Sequence, residues 1–196
     1  MLLLGVVLAL CAFVLPSVAS AVSWSPVGTS DGRLDSGNLG FSIPFVSYGW
    51  GCTASSFNVT VDTAVVATIT GVSFANCHND PGTNIATHGC TQTGAGTNFP
   101  WRLTAPTTTD VIINGVDIDF SFVTTPGTID GCILTGLNVR LTGSLTASFT
   151  PGTAGSRRID FGPPAGAFTA HIPGFGPFRP TVRGTAVATG LLNVID

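Results

Sequence analysis

The sequence contains no lysine and no glutamate among its 196 residues. Its charged side chains are seven arginines and ten aspartates, which together make up 9% of the chain. Lysine and glutamate are strong helix formers and common residues of exposed helix faces. Their absence, together with abundant Thr, Val and Gly, argues against helices and favours strands and turns. The net charge of −3 offers no basic patch, which argues against a nucleic-acid or anionic-lipid partner.

Charge is also missing from the first sixteen residues, which are almost wholly apolar. Such a run is typical of a signal peptide, and Ser17–Ala21 supplies the small residues of a cleavage site after Ala21. The run is shorter than the ~20 residues that a membrane-spanning helix needs, and Pro16 interrupts it. No basic residue follows Met1, which is consistent with a true start codon upstream. We expect residues 1–21 to be removed on export and no transmembrane span to remain; the alternative is an uncleaved N-terminal anchor.

The remaining chain, residues 22–196, is long enough for one domain with a core of its own. It reads as many short strand-like runs separated by Gly, Pro, Asn and Asp, which favours a sandwich or a barrel over alternating strands and helices. We predict an antiparallel β-sandwich, with a partly closed β-barrel as the alternative. Residues 162–180 are rich in Gly and Pro, and we expect an ordered loop there before the final strand. A bend or bulge is predicted at Gly143, inside a long strand.

Four cysteines follow the signal peptide, and an even number in an exported chain predicts disulfides. Three pairings are possible. Loop length favours Cys77–Cys90 as a local bridge, with Cys52–Cys132 joining distant strands.

Asn114-Gly115 lies between two apolar runs, which is the strongest short-range signal for a β-hairpin. A two-residue turn at this place would put Asp110, Asp117 and Asp119 on one outer face. Opposed like charges are destabilising, so such a face would attract either a calcium ion or an arginine such as Arg140. A solvated acidic face is the remaining alternative.

Three further sets of residues suggest chemistry. His78 and His88 flank Cys77 and Cys90, so a zinc or copper site competes there with a disulfide beside two surface histidines. Trp50 and Trp101 are candidates for stacking on a carbohydrate, although a tryptophan beside a cysteine in a β domain more often packs in the core. Ser30 matches the spacing of a hydrolase nucleophile, but it lacks the preceding strand and following helix that this chemistry needs.

The middle of the chain contains several short motifs, at Cys52, Thr70–Cys77, Pro100–Trp101 and Gly131–Cys132. Together they resemble a group of small secreted proteins of high-GC actinobacteria, over about Cys52 to Phe149. The resemblance implies a signal peptide followed by a Thr/Val/Gly-rich β domain with a few cysteines. It implies no catalytic residues.

We therefore expect a non-enzymatic extracellular or cell-surface protein with a structural or protein-interaction role. Its partners would be other envelope or extracellular proteins, or a second copy of the chain. The alternatives are a carbohydrate- or calcium-binding β module and, more remotely, a secreted hydrolase.

Overall fold

The computed structural model describes residues 23–25, 27–28, 32–43, 48–79, 89–127, 132, 134–152, 157–162, 167–189 and 193–195. The predicted signal peptide lies outside them, as do Ser30 and His88. Within the described residues the chain forms strands and turns. The strands are β1 (Ser23–Ser25), β2 (Gly32–Ile43), β3 (Tyr48–Thr63), β4 (Val66–Asn79), β5 (Cys90–Gly96), β6 (Trp101–Thr104), β7 (Asp110–Thr124), β8 (Asn138–Thr150), β9 (Arg158–Phe161), β10 (Phe168–His171), β11 (Pro177–Phe178), β12 (Thr181–Thr189) and β13 (Asn193–Ile195).

The main sheet closes on itself into an eight-stranded antiparallel barrel. Its neighbours run in the order β8, β9, β12, β2, β3, β4, β5 and β7, and the pairing of β7 with β8 completes the ring. The prediction of an all-β, disulfide-containing antiparallel fold is confirmed. The predicted sandwich is wrong in its layering, and the alternative is nearer, although the barrel is closed and not partly closed.

Two positions of the barrel are each filled by an interrupted strand. Between β4 and β7, β5 pairs along one half of β7 and β6 along the other. β8 is paired in the same way on its other side. There β10 pairs with the first half of β8 and β9 with the second half. The chain leaves the sheet between β5 and β6 at residues 97–100, and it leaves β9 at Gly162.

Large side chains fill the inside of the barrel. Trp50 stacks on Phe41 with ring centroids 5.4 Å apart and meets Phe120 and Phe122 edge to face. Eight strands enclose an interior just wide enough for side chains to fill. Trp24, on β1, is buried near one end and contacts Phe149. β1 pairs with β13 in a separate two-stranded ribbon.

Asn114-Gly115 lies inside one continuous strand, β7, so the predicted hairpin is wrong. Gly115 has a φ of +75°, and the register against β8 shifts between Asn114 and Val116. The residue pair therefore forms a bulge, which uses the same positive φ that a turn would need. Both halves of β7 find partners on both sides, so the pairing of the whole barrel decides against a turn at this point.

The irregularity predicted at Gly143 is present on β8, directly opposite this bulge. Gly143 has a φ of +125° and pairs with Val116 on one side and Phe168 on the other. A Cβ atom at this position would lie 2.0 Å from the carbonyl oxygen of Ala167. This oxygen accepts a hydrogen bond from the amide of Ser144 at 3.2 Å, so it has little freedom to move.

We predict that Gly143→Ala lowers the free energy of unfolding by about 3 kcal/mol, because strain at positive φ adds to a backbone clash. Gly174→Ala is the matched control. Gly174 also has a positive φ, of +80°, but a Cβ there meets nothing within 4 Å, so it should cost about 1 kcal/mol. Urea unfolding of both variants measures the difference. Equal losses of unfolding free energy in the two variants would show that the close approach of the Ala167 carbonyl oxygen does not contribute to the cost.

Candidate functional site

All four cysteines that follow the predicted signal peptide form disulfides, but the predicted pairing is wrong. Cys52 is bonded to Cys77 and Cys90 to Cys132, with Cα atoms 3.9 and 4.8 Å apart. The reason is register: Cys52 and Cys77 lie directly opposite each other on β3 and β4. Loop length is a poor guide here because the strands have already brought these residues together.

The two tryptophans predicted to stack on a ligand are buried. Trp50 is 0% and Trp101 is 1% exposed, so neither offers a face to a carbohydrate. The alternative interpretation, core packing, is confirmed for both. Trp101 also donates a hydrogen bond from Nε1 to the carbonyl oxygen of Thr97 at 2.8 Å, and its ring stacks on Phe99.

The three aspartates predicted to share a calcium site lie along a single strand. Asp110 pairs across to Ser148, Asp117 to Thr142 and Asp119 to Arg140. Asp110 is therefore about 20 Å from Asp117 along the strand. The described residues contain no group of three or more His, Cys, Asp or Glu side chains placed to hold a metal ion. The geometry on which the calcium prediction depended does not form.

Asp117 is paired with an arginine instead, as one of the alternatives proposed. Arg140 donates from Nε to Oδ1 at 2.8 Å and from Nη2 to Oδ2 at 2.6 Å. The Asp117 side chain is 7% exposed and that of Arg140 is 51% exposed. Such two-pronged contacts between guanidinium and carboxylate are among the stronger hydrogen bonds in proteins. Arg140 thus neutralises a carboxylate that the fold has taken out of water.

The interruption between β5 and β6 explains why Asp117 is buried. Five residues, 97–101, stand opposite three residues of β7, 115–117. The surplus residues fold over the outer side of β7. The amide of Thr97 donates to the carbonyl oxygen of Asp117 at 2.8 Å, and Asn98 Nδ2 donates to its carboxylate. The Asn98 backbone has a φ of +52°, a conformation that asparagine tolerates better than most residues.

These contacts lower the pKa of Asp117 from 3.8 to about 2. The largest cause is the hydrogen bonding from Arg140; burial acts in the opposite direction, and the Asn98 amide adds to the lowering. The pKa of Arg140 is raised in turn by its hydrogen bonds to Asp117. Sequence reasoning identified Asp117 and Arg140 but missed Asn98, whose signal was an Asn two residues before a Pro at the end of a strand.

The remaining predicted site residues are not brought together. His78 is exposed, and its Nδ1 lies 3.0 Å from the carbonyl oxygen of Asn76, while its proposed partner His88 is outside the described residues. Ser30 is outside them as well. Ser73, which nearly repeats the same spacing, shares a hydrogen bond of 2.7 Å with Ser56 on the surface.

A shallow cleft of about 630 Å³ opens on the outer side of the barrel, across β7, β8 and β9. Its polar lining includes Asp110, Ser148 and Asp160. Arg158 Nε donates to Asp160 at 3.0 Å, and the Thr185 hydroxyl donates at 2.6 Å. Asp110 accepts from the Thr107 hydroxyl at 2.7 Å. The sequence pattern did not single out Asp160, because a lone aspartate in a short strand carries no local signal.

Residues 1–154 match the family model described as "Alkane oxidation protein activator PraA/PraB-like". This stretch is more than half of the chain. The chain belongs to the PraA/PraB-like family. No curated protein and no solved structure matches the sequence. Among the described residues, no helix has the length and apolar character to cross a membrane.

The matched part of this PraA/PraB-like chain contains most of the features described above. It includes β1 to β8, both disulfides and the Asp117–Arg140 pair, whereas β9 to β13 lie beyond it. The barrel itself needs β9 and β12, so the matched stretch alone does not close the sheet. The resemblance to secreted actinobacterial proteins stays a prediction beside this match.

The disulfide pairing can be tested by mutation. Replacing Cys52 and Cys77 by serine should lower the free energy of unfolding by about 3–4 kcal/mol, since the bridge closes a loop with a sequence separation of 25. The purified double variant should contain no free thiol, because Cys90 and Cys132 remain bonded to each other. Thiol titration after denaturation measures this. Two free thiols would mean that the cysteines pair differently.

The Asp117 network predicts how stability depends on pH in the acid range. Because the folded-state pKa lies below the ordinary value of 3.8, the stabilisation is complete above that pH and is lost as pH falls towards about 2. Wild type should lose about 2 kcal/mol more than Asp117→Asn between about pH 5 and pH 2. Asn98→Ala removes one donor to the carboxylate and keeps the Arg140 contacts, so it should retain most of the wild-type acid dependence. Parallel curves for wild type and Asp117→Asn would contradict the assignment.

Proposed function

We propose that this protein is an exported, non-enzymatic accessory that assists alkane oxidation from outside the cell, through contacts made by its outer surface. The family description, an activator of alkane oxidation, is the basis for the process. An activator raises the rate of a reaction that another protein carries out. The role is therefore structural or interactive, as the composition suggests.

The observation that carries this proposal is the filled interior of the barrel. Eight-stranded barrels can hold one small ligand inside, and a carrier of a single alkane would need such a space. Here Trp50, Phe41 and Phe120 occupy the centre in mutual ring contact, and each is 0–1% exposed. Protein interiors are close-packed, so an alkane chain would have to displace these rings at a cost of several kcal/mol. Contacts with partner or substrate must then be made by the outer surface.

The outer surface has the character that such contacts require. It has no lysine or glutamate, and its outward strand positions are largely Thr, Ser and Asn. Val65, Val123 and Phe175 are each at least half exposed. Few charges mean a small desolvation cost when the surface meets an apolar phase or another protein. Alkanes are nearly insoluble in water, so delivery of the substrate is a step that a protein outside the cell can assist.

The disulfides fit an oxidising location outside the cytoplasm. Both bridges join strands or segments at the same end of the barrel, where β3 begins and β4 and β7 end. Disulfides persist in exported proteins and are rare in the cytosol. A disulfide-braced barrel keeps its shape in a medium without chaperones. The partners we propose are other envelope or extracellular proteins, or a second copy of the chain.

The experiment adds purified protein to washed cells of an alkane-oxidising bacterium that lacks the gene. We expect a several-fold faster consumption of a long-chain alkane and no change with the corresponding primary alcohol, which enters after the first oxidation step. Protein that has been reduced and alkylated is the matched control and should be inactive. Equal stimulation on the alcohol, or alkane conversion by the protein without cells, would contradict the proposal.

A further inference from the structure

The cleft across β7, β8 and β9 has a lining that the proposed function does not use. It lies between the segment Ala105–Thr109, which leads into β7, and the chain that leaves β9 at Gly162. Its volume of about 630 Å³ is within the ~300–1,000 Å³ typical of small-molecule sites. The cleft is open to solvent along its length, so it suits an extended ligand better than an enclosed one.

A row of three polar side chains crosses the cleft at right angles to the strands. Ser148 pairs with Asp110 on one side and with Asp160 on the other. Alternate residues of a strand point to the same face, and the buried residues Val111, Phe149 and Ile159 point inward. The three polar side chains consequently all point outward. Their Cα atoms span about 10 Å, which is two strand spacings.

Both carboxylates are held in place and still have free acceptor positions. Asp160 accepts from Arg158 and Thr185, and Asp110 accepts from Thr107. An ionised carboxylate has about four acceptor positions, so each keeps at least two for a ligand. Arg158 offsets one of the two negative charges. The site is thus rich in oriented acceptors with a local charge near −1, which suits a neutral donor of several hydrogen bonds better than a cation.

The next row of outward-facing residues along the strands carries no charge and leaves open space. Ile112 pairs with Thr146, and the register of β8 with β9, continued by one residue, brings Gly162 beside Thr146. Ile112 is half-buried and supplies the apolar surface of this row, whereas Ala147 pairs with Val111 and packs against the core. Gly162 contributes no side chain, and a Cβ there would meet nothing within 4 Å. The open space beside the carboxylates therefore exists because this position is glycine.

We propose that this cleft binds a neutral saccharide. A pyranose ring has hydroxyls around its edge and C–H groups on its faces. Asp110 and Asp160 would accept hydrogen bonds from the hydroxyls, Ser148 would accept or donate, and Ile112 would contact a C–H face. These residues differ from Trp50 and Trp101, whose burial removes them from such a role. The site is independent of the alkane-related function, and either can fail without the other.

The same geometry disfavours a calcium ion. Calcium needs about six to eight oxygen ligands at 2.3–2.6 Å. The row offers two carboxylates separated by a strand, and Arg158 already occupies one oxygen of Asp160 at 3.0 Å. A saccharide does not require the two carboxylates to converge, because its hydroxyls are themselves spread over several ångströms.

The test is a titration of ¹⁵N-labelled full-length mature protein with cellotriose, maltotriose and chitotriose, followed by amide chemical shifts. We expect saturable shifts at Asp110, Ile112, Ser148 and Asp160 with at least one of the three saccharides. The absence of saturable shifts with all three overturns the proposal. Shifts of the same amides with calcium chloride, and not with a saccharide, overturn it as well.

Two glycine variants make the matched comparison. Gly162→Leu places a side chain in the open space of the cleft and should weaken binding at least tenfold without unfolding the protein. Gly176→Leu is the control at the opposite end of the barrel, where a Cβ also meets nothing within 4 Å, and it should bind as wild type does. Ser148→Ala should weaken binding without adding bulk. Wild-type affinity in both Gly162→Leu and Ser148→Ala would place binding elsewhere and overturn the assignment.

Discussion

The pairing of β7 with β8 is the contact on which the rest of the structure depends. These two strands pair from Asp110 opposite Ser148 to Ser121 opposite Asn138, and theirs is the contact that turns a row of strands into a ring. Without it the sheet would keep two long edges, and exposed edges invite pairing with other chains. Closure also fixes the interior volume, because eight strands leave room for one layer of converging side chains. The aromatic cluster around Trp50 and Phe120 fills that volume.

Closure imposes local irregularity, and the irregular places are where polar groups become organised. β7 and β8 meet at a bulge where Gly115 and Gly143 both adopt positive φ. Beside it, the interruption between β5 and β6 provides the loop that covers Asp117. A carboxylate buried in this way must be paired, because an unpaired buried charge is very costly. Arg140 and Asn98 supply the pairing, so the ion pair is best understood as a consequence of how the barrel closes.

The fold class could be predicted from composition, since the absence of lysine and glutamate removes the usual helix formers. Strand faces could be predicted too: Val116, Ile118 and Phe120 alternate in sequence and are all buried. What could not be predicted was how strands partner each other. Asn114-Gly115 is compatible with a turn and with a bulge, because both need the same positive φ. The predictions of the cysteine pairing and of the aspartate cluster were wrong for the same reason. Each depended on strand register, and register is set by all eight strands together.

Residues inside the barrel and residues on its outer side differ in their availability to a ligand. Sequence reasoning offered Trp50 and Trp101 as candidates for ligand contact, with core packing as the commoner role, and the closed barrel uses both for its core. Groups that remain available lie on the outer side, where they are small and polar and carry no motif. Asp110 and Asp160 are 50 positions apart in the sequence and share no motif. Cross-strand pairing nevertheless brings both beside Ser148. In a barrel with a filled interior, recognition has to be built from such rows across neighbouring strands, because aromatic side chains such as Trp50 and Phe120 occupy the space in which a ligand could be surrounded.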